Sequence, residues 1–187
     1  NNKNKKGIVF FSAHYGNWEL GPVIIKNLGL DPLCVYRKSN NKFVEFLIQS
    51  IRKKNGTYAP KGDIGAKKSF LWLRKGKSLA LLMDQKLNEG PPINFLGKPA
   101  FTASFIADIA IRMNLDIVPI KFSRDIKNQN IITFYKKINM PRYNLSKSKK
   151  INIILTQINE IMSQWIINQP EHWLWIHRRW QKDLYLK

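Results

Sequence analysis

Residues 7–20 read GIVFFSAHYGNWEL, an uncharged apolar run followed at once by polar and aromatic residues. The β-branched and aromatic side chains of Gly7–Ala13 predict a buried strand. The segment Asn17–Lys26 then predicts a short helix with Glu19 in its first turn. His14 therefore lies where a buried strand ends, and a carboxylate follows it after four intervening residues.

Strand and helix patterns alternate along the rest of the chain. Asp63 is expected to cap a helix that Gly76 ends, and Gly56 to end the helix before it. Residues 91–97, which contain two prolines and a glycine, predict a long loop. The alternation predicts an α/β fold, with a mixed, mainly parallel sheet flanked by helices, in a single domain over residues 1–187. The other predicted strands are Leu33–Tyr36, Ser78–Met83, Asp116–Phe122 and Ile131–Tyr135, and the other predicted helices are Phe43–Lys54, Ile64–Lys75, Thr102 or Ser104 to Asn114, and Lys149–Asn168.

The composition restricts the class of protein. The chain has 187 residues, 44% of them apolar, which is enough for a globular domain with its own core. Its formal net charge of +20 favours an anionic partner, although abundant Lys, Asn and Ile also fit an AT-rich genome. The single cysteine, Cys34, excludes a disulfide framework within the chain. No apolar run reaches the ~20 residues of a membrane span, and because the chain starts at Asn1 we expect an N-terminal piece to be missing.

The pair of His14 and Glu19 can carry acid–base chemistry. With His14 in the loop and Glu19 in the helix, the carboxylate can hold one imidazole nitrogen and raise the basicity of the other. The helix start also offers free N–H groups to an anion or a developing oxyanion. The alternative is a structural histidine that caps a turn, followed by an ordinary first-turn glutamate.

Other kinds of chemistry have less support in the sequence. The three histidines, His14, His172 and His177, lack the spacing of zinc proteases, so we expect neither a metal nor a cofactor. The chain has no Walker A lysine motif, no GxGxxG and no GxSxG nucleophile elbow. Of the kinds of chemistry considered, the residues fit a general base that acts on a hydroxyl, and a structural histidine stays the alternative.

Five sequence blocks follow one another in order over nearly the whole chain: AHYGNWEL (13–20), MDQK (83–86), INFLGKPAFTA (93–103), IVPIKF (117–122) and PEHWLWIHRRW (170–180). Together they resemble the late acyltransferases of lipid A biosynthesis, within the lysophospholipid acyltransferase superfamily and its H-x4-D/E motif. The resemblance implies a glycerolipid-acyltransferase-like fold. It also implies transfer of a fatty acyl chain, and not an amino-acyl group, from acyl carrier protein to a hydroxyl of a lipid A precursor.

The resemblance also implies roles for single residues. His14 would be the general base and Glu19 the carboxylate that orients it. The downstream arginine of the family matches Arg52 or, as a second candidate, Arg37. The strand-end aspartate matches Asp84, which could instead support Arg52 through an ion pair. Substrate contacts are expected from Asn17, Arg37, Gln85, Lys86, Phe95, Gly97, Arg178 and Arg179.

Several of these residues also have a plainer interpretation. Arg178 and Arg179 could bind a substrate phosphate bidentately or face solvent. The loop from Phe95 to Gly97 could contact substrate or form a simple turn. The tryptophans of the tail could border the acyl tunnel, lie at the membrane interface or pack in the core.

The resemblance places the protein at the cytoplasmic face of the bacterial inner membrane, bound peripherally or through a missing N-terminal helix. The expected partners are acyl carrier protein, the lipid acceptor and an anionic membrane surface, with the protein itself a monomer. A lysophospholipid or another glycolipid is an alternative acceptor. The alternative of a different class is a basic nucleic-acid-binding domain, but no motif for nucleic acid appears and we expect no such partner.

Overall fold

The structure is a computed structural model that describes residues 6–185. These residues form two compact units. Unit 1 comprises residues 6–10 and 19–81, and unit 2 comprises residues 11–18 and 82–185. Strand β1 (Ile8–Ser12) contributes residues to both units. The expected single catalytic domain stays a prediction.

Unit 1 is a parallel sheet with helices beside it. Its further elements are α1 (Gly21–Asn27), β2 (Pro32–Tyr36), α2 (Lys42–Asn55), β3 (Thr57–Pro60), α3 (Asp63–Arg74) and β4 (Ser78–Leu82), whose last residue belongs to unit 2. The strands lie in the order β3-β2-β4-β1, and β2 pairs in parallel with both β3 and β4. Helix α1 contacts β2, α2 contacts β3, and α3 contacts both strands. Fully buried Leu33 and Leu79 face each other across the register of β2 and β4.

Unit 2 is built around one long helix. Its elements are β5 (Pro92–Phe95), β6 (Lys98–Phe101), α4 (Phe105–Met113), β7 (Asp116–Arg124), β8 (Asn130–Phe134) and α5 (Lys147–Asn168). Strand β7 pairs antiparallel with β8. Helix α5 contacts β5, α4 and β7, and buries Ile154, Leu155, Ile158 and Met162 completely. The apolar face of this amphipathic helix therefore forms much of the core of unit 2.

The predicted α/β class with a mixed, mainly parallel sheet is confirmed. Strands β2, β3 and β4 run parallel, and β7 and β8 run antiparallel. The helix predicted over Asn17–Lys26 is in fact two pieces, a 3-10 turn at Trp18–Leu20 and then α1. Pro22 lies in the first turn of α1, where a missing N–H costs nothing, so a new helix can begin there.

The cap predicted at Asp63 is wrong. Asp63 is the first residue of α3, and the N-cap is Gly62, which has a φ of 109° that L side chains rarely adopt. The carboxylate of Asp63 instead lies in the first turn, where the helix dipole favours negative charge. The expected helix ends are confirmed, since Gly56 caps α2 and the Gly76 N–H donates to the Leu73 carbonyl.

The loop predicted over residues 91–97 is also wrong, because β5 and β6 form a hairpin there. The two residues between the strands, Leu96 and Gly97, have φ values of 51° and 79°. Two positive φ values are what a two-residue hairpin turn with the twist of its strands requires. Leucine is unusual in that conformation. Of the two turn residues, only Gly97 is of a type that predicts such a turn from sequence.

A buried polar network ties this hairpin to the C-terminal tail. The Arg179 side chain is 1% exposed; it donates to the Phe101 carbonyl (2.7 Å) and the Thr102 hydroxyl (2.9 Å). Its guanidinium also lies over the Phe95 ring, 4.7 Å from the centroid. Burial lowers the pKa of Arg179 to about 10, which leaves it charged at neutral pH. Arg179 is therefore part of the packing that holds the tail on unit 2.

Replacing Arg179 by alanine should lower the free energy of unfolding by about 2–4 kcal/mol, because a cavity forms and two charged hydrogen bonds are lost. Chemical denaturation measures this. Arg178 is the matched control, since it is exposed and adjacent. Arg178→Ala should change stability by less than about 0.5 kcal/mol, and equal losses for the two variants would contradict the structural role of Arg179.

Candidate active site

His14 lies two residues after β1, and Asp84 lies two residues after β4. The Met83 N–H donates to the Ser12 carbonyl (2.9 Å), which brings the two strand ends together within unit 2. His14 Nδ1 is then 2.8 Å from Asp84 Oδ1. Two chemical groups 70 positions apart in the sequence therefore meet, as expected where parallel strands end at one edge of a sheet.

Asp84 is 5% exposed, and both of its carboxylate oxygens have donors. The Trp173 indole N–H donates to Oδ2 at 2.9 Å. Burial alone would raise the pKa of Asp84, but the hydrogen bond and charge of His14 and the indole N–H outweigh it, so the pKa lies below its ordinary value. Because Asp84 is thus ionised at neutral pH, it accepts from His14 Nδ1–H and leaves Nε2 as the basic nitrogen.

The C-terminal tail holds the backbone around His14. The Leu174 N–H donates to the His14 carbonyl (2.7 Å), and the Gly16 N–H donates to the His172 carbonyl (2.8 Å). Between these bonds Trp173 reaches Asp84, and its ring stacks on Trp175 at 5.5 Å with an interplanar angle of 4°. The tail therefore fixes both the histidine loop and the carboxylate that faces it.

The Nε2 side of His14 opens into a shallow pocket. Gln85 Nε2 lies 3.4 Å from His14 Nε2, too far for a strong hydrogen bond. The Trp18 ring meets the imidazole edge-on, with the ring centroids 5.1 Å apart. The rest of the lining includes the exposed apolar side chains of Leu174, Trp175 and Ile176. The basic nitrogen thus lies at a small, partly open pocket whose lining is both polar and apolar.

Gly16 is required by its surroundings. Its φ is 54°, and a Cβ at this position would lie 2.3 Å from the Phe122 carbonyl oxygen. We expect Gly16→Ala to lower the free energy of unfolding by at least about 2 kcal/mol, because it adds a backbone clash to the cost of a left-handed residue. Gly29→Ala is the control for φ alone, since Gly29 has a φ of 75° and no atom near its Cβ position. Equal losses in denaturation midpoints would show that the clash is unimportant.

Within unit 1, Glu19 and Arg52 form an ion pair. The Arg52 guanidinium lies over the rings of Tyr36 (5.6 Å) and Tyr58 (5.4 Å). The hydrogen bond and charge of Glu19 raise the pKa of Arg52 against the opposing effect of burial, which is the largest single influence. Arg37, the second candidate for the family arginine, is exposed just after β2. Arg52 is therefore a cation held in a fixed position, and Arg37 is not.

The free thiol of Cys34 is not a competing nucleophile. Burial, and after it the charge of Glu19, raise the pKa of Cys34 to about 12, so no reactive thiolate forms at neutral pH. Among residues 6–185, no three His, Cys, Asp or Glu side chains group as ligands for a metal ion.

The remaining predicted site residues are spread over unit 2. Asn17 is half-buried next to the histidine loop, and Lys86 Nζ lies over the Phe101 ring at 5.9 Å. Phe95 is fully buried against Trp173 and Trp180, whereas Gly97 is at the exposed tip of the hairpin. Substrate contact by these residues stays a prediction. Of the two predicted arginines in the tail, Arg178 is exposed. Arg179 is buried, so the alternative that its side chain faces solvent is wrong.

Sequence reasoning missed three aromatic partners of the charged groups. Trp173 was expected in the acyl tunnel, at the membrane interface or in the core, and its hydrogen bond to Asp84 could have been suspected only from the density of tryptophans in the tail. Tyr36 and Tyr58 gave no signal at all, because the contacts that place them around Arg52 depend on the register of β2 and β3.

A family model described as bacterial lipid A biosynthesis acyltransferase matches residues 1–182. The match covers nearly the whole chain, including the histidine loop, the Asp84 strand end and the tryptophan-rich tail. A search among curated proteins found no match.

Proposed function

Because the chain belongs to the bacterial lipid A biosynthesis acyltransferase family, we propose that it moves a fatty acyl chain from an acyl carrier protein thioester to a hydroxyl of a lipid A precursor. Family membership supports acyl transfer and a lipid acceptor. The donor, the hydroxyl and the residue roles are the proposal. The observation that carries it is the 2.8 Å contact between His14 Nδ1 and ionised Asp84, which leaves Nε2 facing an open pocket.

His14 Nε2 takes the proton of the acceptor hydroxyl as its oxygen attacks the thioester carbonyl carbon. The tetrahedral intermediate then collapses, the C–S bond breaks and an ester forms. The imidazolium returns its proton to the leaving thiolate, so that both protons and charges balance. Base catalysis of this kind contributes about 10²–10⁴-fold. A thioester is already a good acyl donor, so no covalent enzyme intermediate is required.

The surrounding residues have supporting roles in the proposal. Asp84 fixes the tautomer of His14 and stabilises the imidazolium, with Trp173 as a positioning residue behind it. Glu19 and Arg52 are included through the family resemblance, Glu19 as a partner carboxylate and Arg52 as a cation for negative charge on the substrate. Arg52 is preferred over Arg37 because its partners fix its position.

The proposed setting is the cytoplasmic face of the bacterial inner membrane, with the protein acting as a monomer. The net charge of +20 would speed encounter with an acidic carrier protein and attract an anionic lipid surface. Within residues 6–185, no helix combines the length and apolar composition needed to cross a bilayer.

A transfer assay with a panel of substrates tests the proposal. Acyl carrier protein and coenzyme A thioesters are compared as donors, and lipid A precursors and lysophospholipids as acceptors. We expect the highest kcat/KM for the carrier protein with a lipid A precursor. Preferred acylation of lysophospholipid would move the function to the alternative acceptor. Salt-sensitive nucleic-acid binding without any acyl transfer would contradict the proposal.

A further inference from the structure

Helix α2 of unit 1 has its polar face turned inward. Glu45 is 8% exposed and accepts from the Tyr36 hydroxyl (2.7 Å) and the Ser39 N–H (2.8 Å). The Gln49 side chain bonds to the same carboxylate at 3.1 Å. One turn further, half-buried Arg52 lies over the rings of Tyr36 and Tyr58. The side of the helix that contacts the rest of unit 1 is thus held mainly by charge and hydrogen bonds.

The apolar face of α2 is turned outward. Five of its six large apolar side chains are between 40% and 69% exposed, and only Ile48 is half-buried. Positions 43, 47 and 51 recur every four residues and define one stripe. A surface helix of a globular protein shows the opposite arrangement, with its apolar stripe buried. The exposed side chains are Phe43, Val44, Phe46, Leu47 and Ile51.

The charged residues that accompany this stripe are all cations. Lys42 is exposed at the start of the helix, and Lys53 and Lys54 are exposed at its end. The one acidic residue of α2, Glu45, is buried and bonded. Aromatic and aliphatic side chains bordered by lysines, without exposed acids, are the composition of a helix that lies in the interface of an anionic bilayer.

We propose that the exposed face of α2 docks on the surface of an anionic phospholipid bilayer. The five apolar side chains enter the boundary between headgroups and acyl chains, and Lys42, Lys53 and Lys54 meet lipid phosphates. The inference goes beyond the proposed chemistry, because it assigns a membrane-binding surface to unit 1 and does not depend on which hydroxyl is acylated. The apolar stripe favours lipid over an acidic protein, whose charge would be recognised by the lysines alone.

Vesicle cosedimentation of the full chain tests this surface. The vesicles consist of phosphatidylcholine, with or without phosphatidylglycerol. We expect the wild type to bind the anionic vesicles and to be released by salt. The double variant Phe43→Ser/Phe46→Ser should lower the partition coefficient at least about tenfold, because apolar contact area is lost. Lys53→Gln/Lys54→Gln should lower it about tenfold on anionic vesicles only.

Matched controls come from exposed residues of unit 2. Ile126 and Tyr143 are 102% and 95% exposed, and Lys127 and Lys136 are exposed lysines. The control variants Ile126→Ser/Tyr143→Ser and Lys127→Gln/Lys136→Gln should bind vesicles as the wild type does. Circular dichroism checks that every variant is folded. Unchanged vesicle binding by Phe43→Ser/Phe46→Ser would overturn the proposal.

Two other occupants of this face give distinct results. If a second copy of the chain covers it, the wild type sediments as a dimer and Phe43→Ser/Phe46→Ser as a monomer. If acyl carrier protein covers it, the variant loses carrier affinity and keeps vesicle binding. Either result would overturn the membrane assignment. Because vesicle binding needs no acyl donor, failure of the transfer assay and failure of this test are distinguishable.

Discussion

Replacing His14 by alanine is expected to lower the rate of acyl transfer by about 10²–10⁴-fold while leaving the fold intact. The imidazole is the basic group beside Asp84, and its Nε2 faces the pocket. Its side chain is only 20% exposed and its ring bonds to buried Asp84, so we expect the variant to lose about 1–3 kcal/mol of stability and still fold. The measurement is the initial rate of transfer from labelled acyl carrier protein, with circular dichroism and thermal unfolding as checks on folding.

His177 provides the matched control for this variant. It is an exposed histidine in the lining of the same pocket, and no hydrogen bond to Asp84 is found for it. His177→Ala should retain transfer to within about threefold, since it supplies no proton acceptor in the proposed mechanism. A folded His14→Ala variant with wild-type rates would rule out His14 as the base.

Replacing Asp84 by asparagine is expected to lower kcat by about 10²–10⁴-fold. The amide has nearly the same shape, so the contacts with His14 and Trp173 can persist. However, it carries no charge to stabilise the imidazolium, and its N–H₂ group can donate to Nδ1 and select the wrong tautomer. Nitrogen NMR of the imidazole should show a proton on Nδ1 in the wild type and a mixture or the other tautomer in Asp84→Asn.

The NMR result separates positioning from simple structural support. A variant that only loosened the fold would lose stability without changing the histidine tautomer. Asp116→Asn is the control, because Asp116 is an exposed partner of Lys137 and its loss should leave both rate and tautomer unchanged. Wild-type kcat together with an unchanged tautomer in Asp84→Asn would remove Asp84 from the mechanism.

Periodicity predicted the fold well where one face of an element is buried. Strands β2 and β7 and helix α5 have nearly their predicted bounds, because their apolar spacing is the pattern that burial selects. Strand β8 also has nearly its predicted bounds, although none of its residues is buried. The hairpin of β5 and β6 was missed because Leu96 occupies a turn position usually held by asparagine or glycine. Helix α2 was predicted from its apolar stripe, but periodicity does not tell which way the stripe faces.

The sequence was enough to name candidate residues for the site, but it was a poorer guide to which of them form hydrogen bonds with each other. His14 and Asp84 could each be located from a strand end, yet their mutual hydrogen bond depends on which strands are neighbours. Glu19 was expected to orient His14 because it is close in sequence, whereas the hydrogen bond that the structure gives Glu19 is to Arg52, 33 positions away. Spacing along the chain indicates candidates, and the sheet order decides their partners.

The most direct test of direct, base-catalysed transfer is a single-turnover reaction followed by mass spectrometry of lipid and protein together. The full chain is mixed with acyl carrier protein thioester and a lipid A precursor, and the reaction is quenched over time. We predict that the precursor gains one ester-linked acyl chain as the thioester disappears, while the mass of the protein stays constant. An acylated protein that appears and decays at the rate of product formation would contradict the account, and so would thioester loss without an acylated precursor.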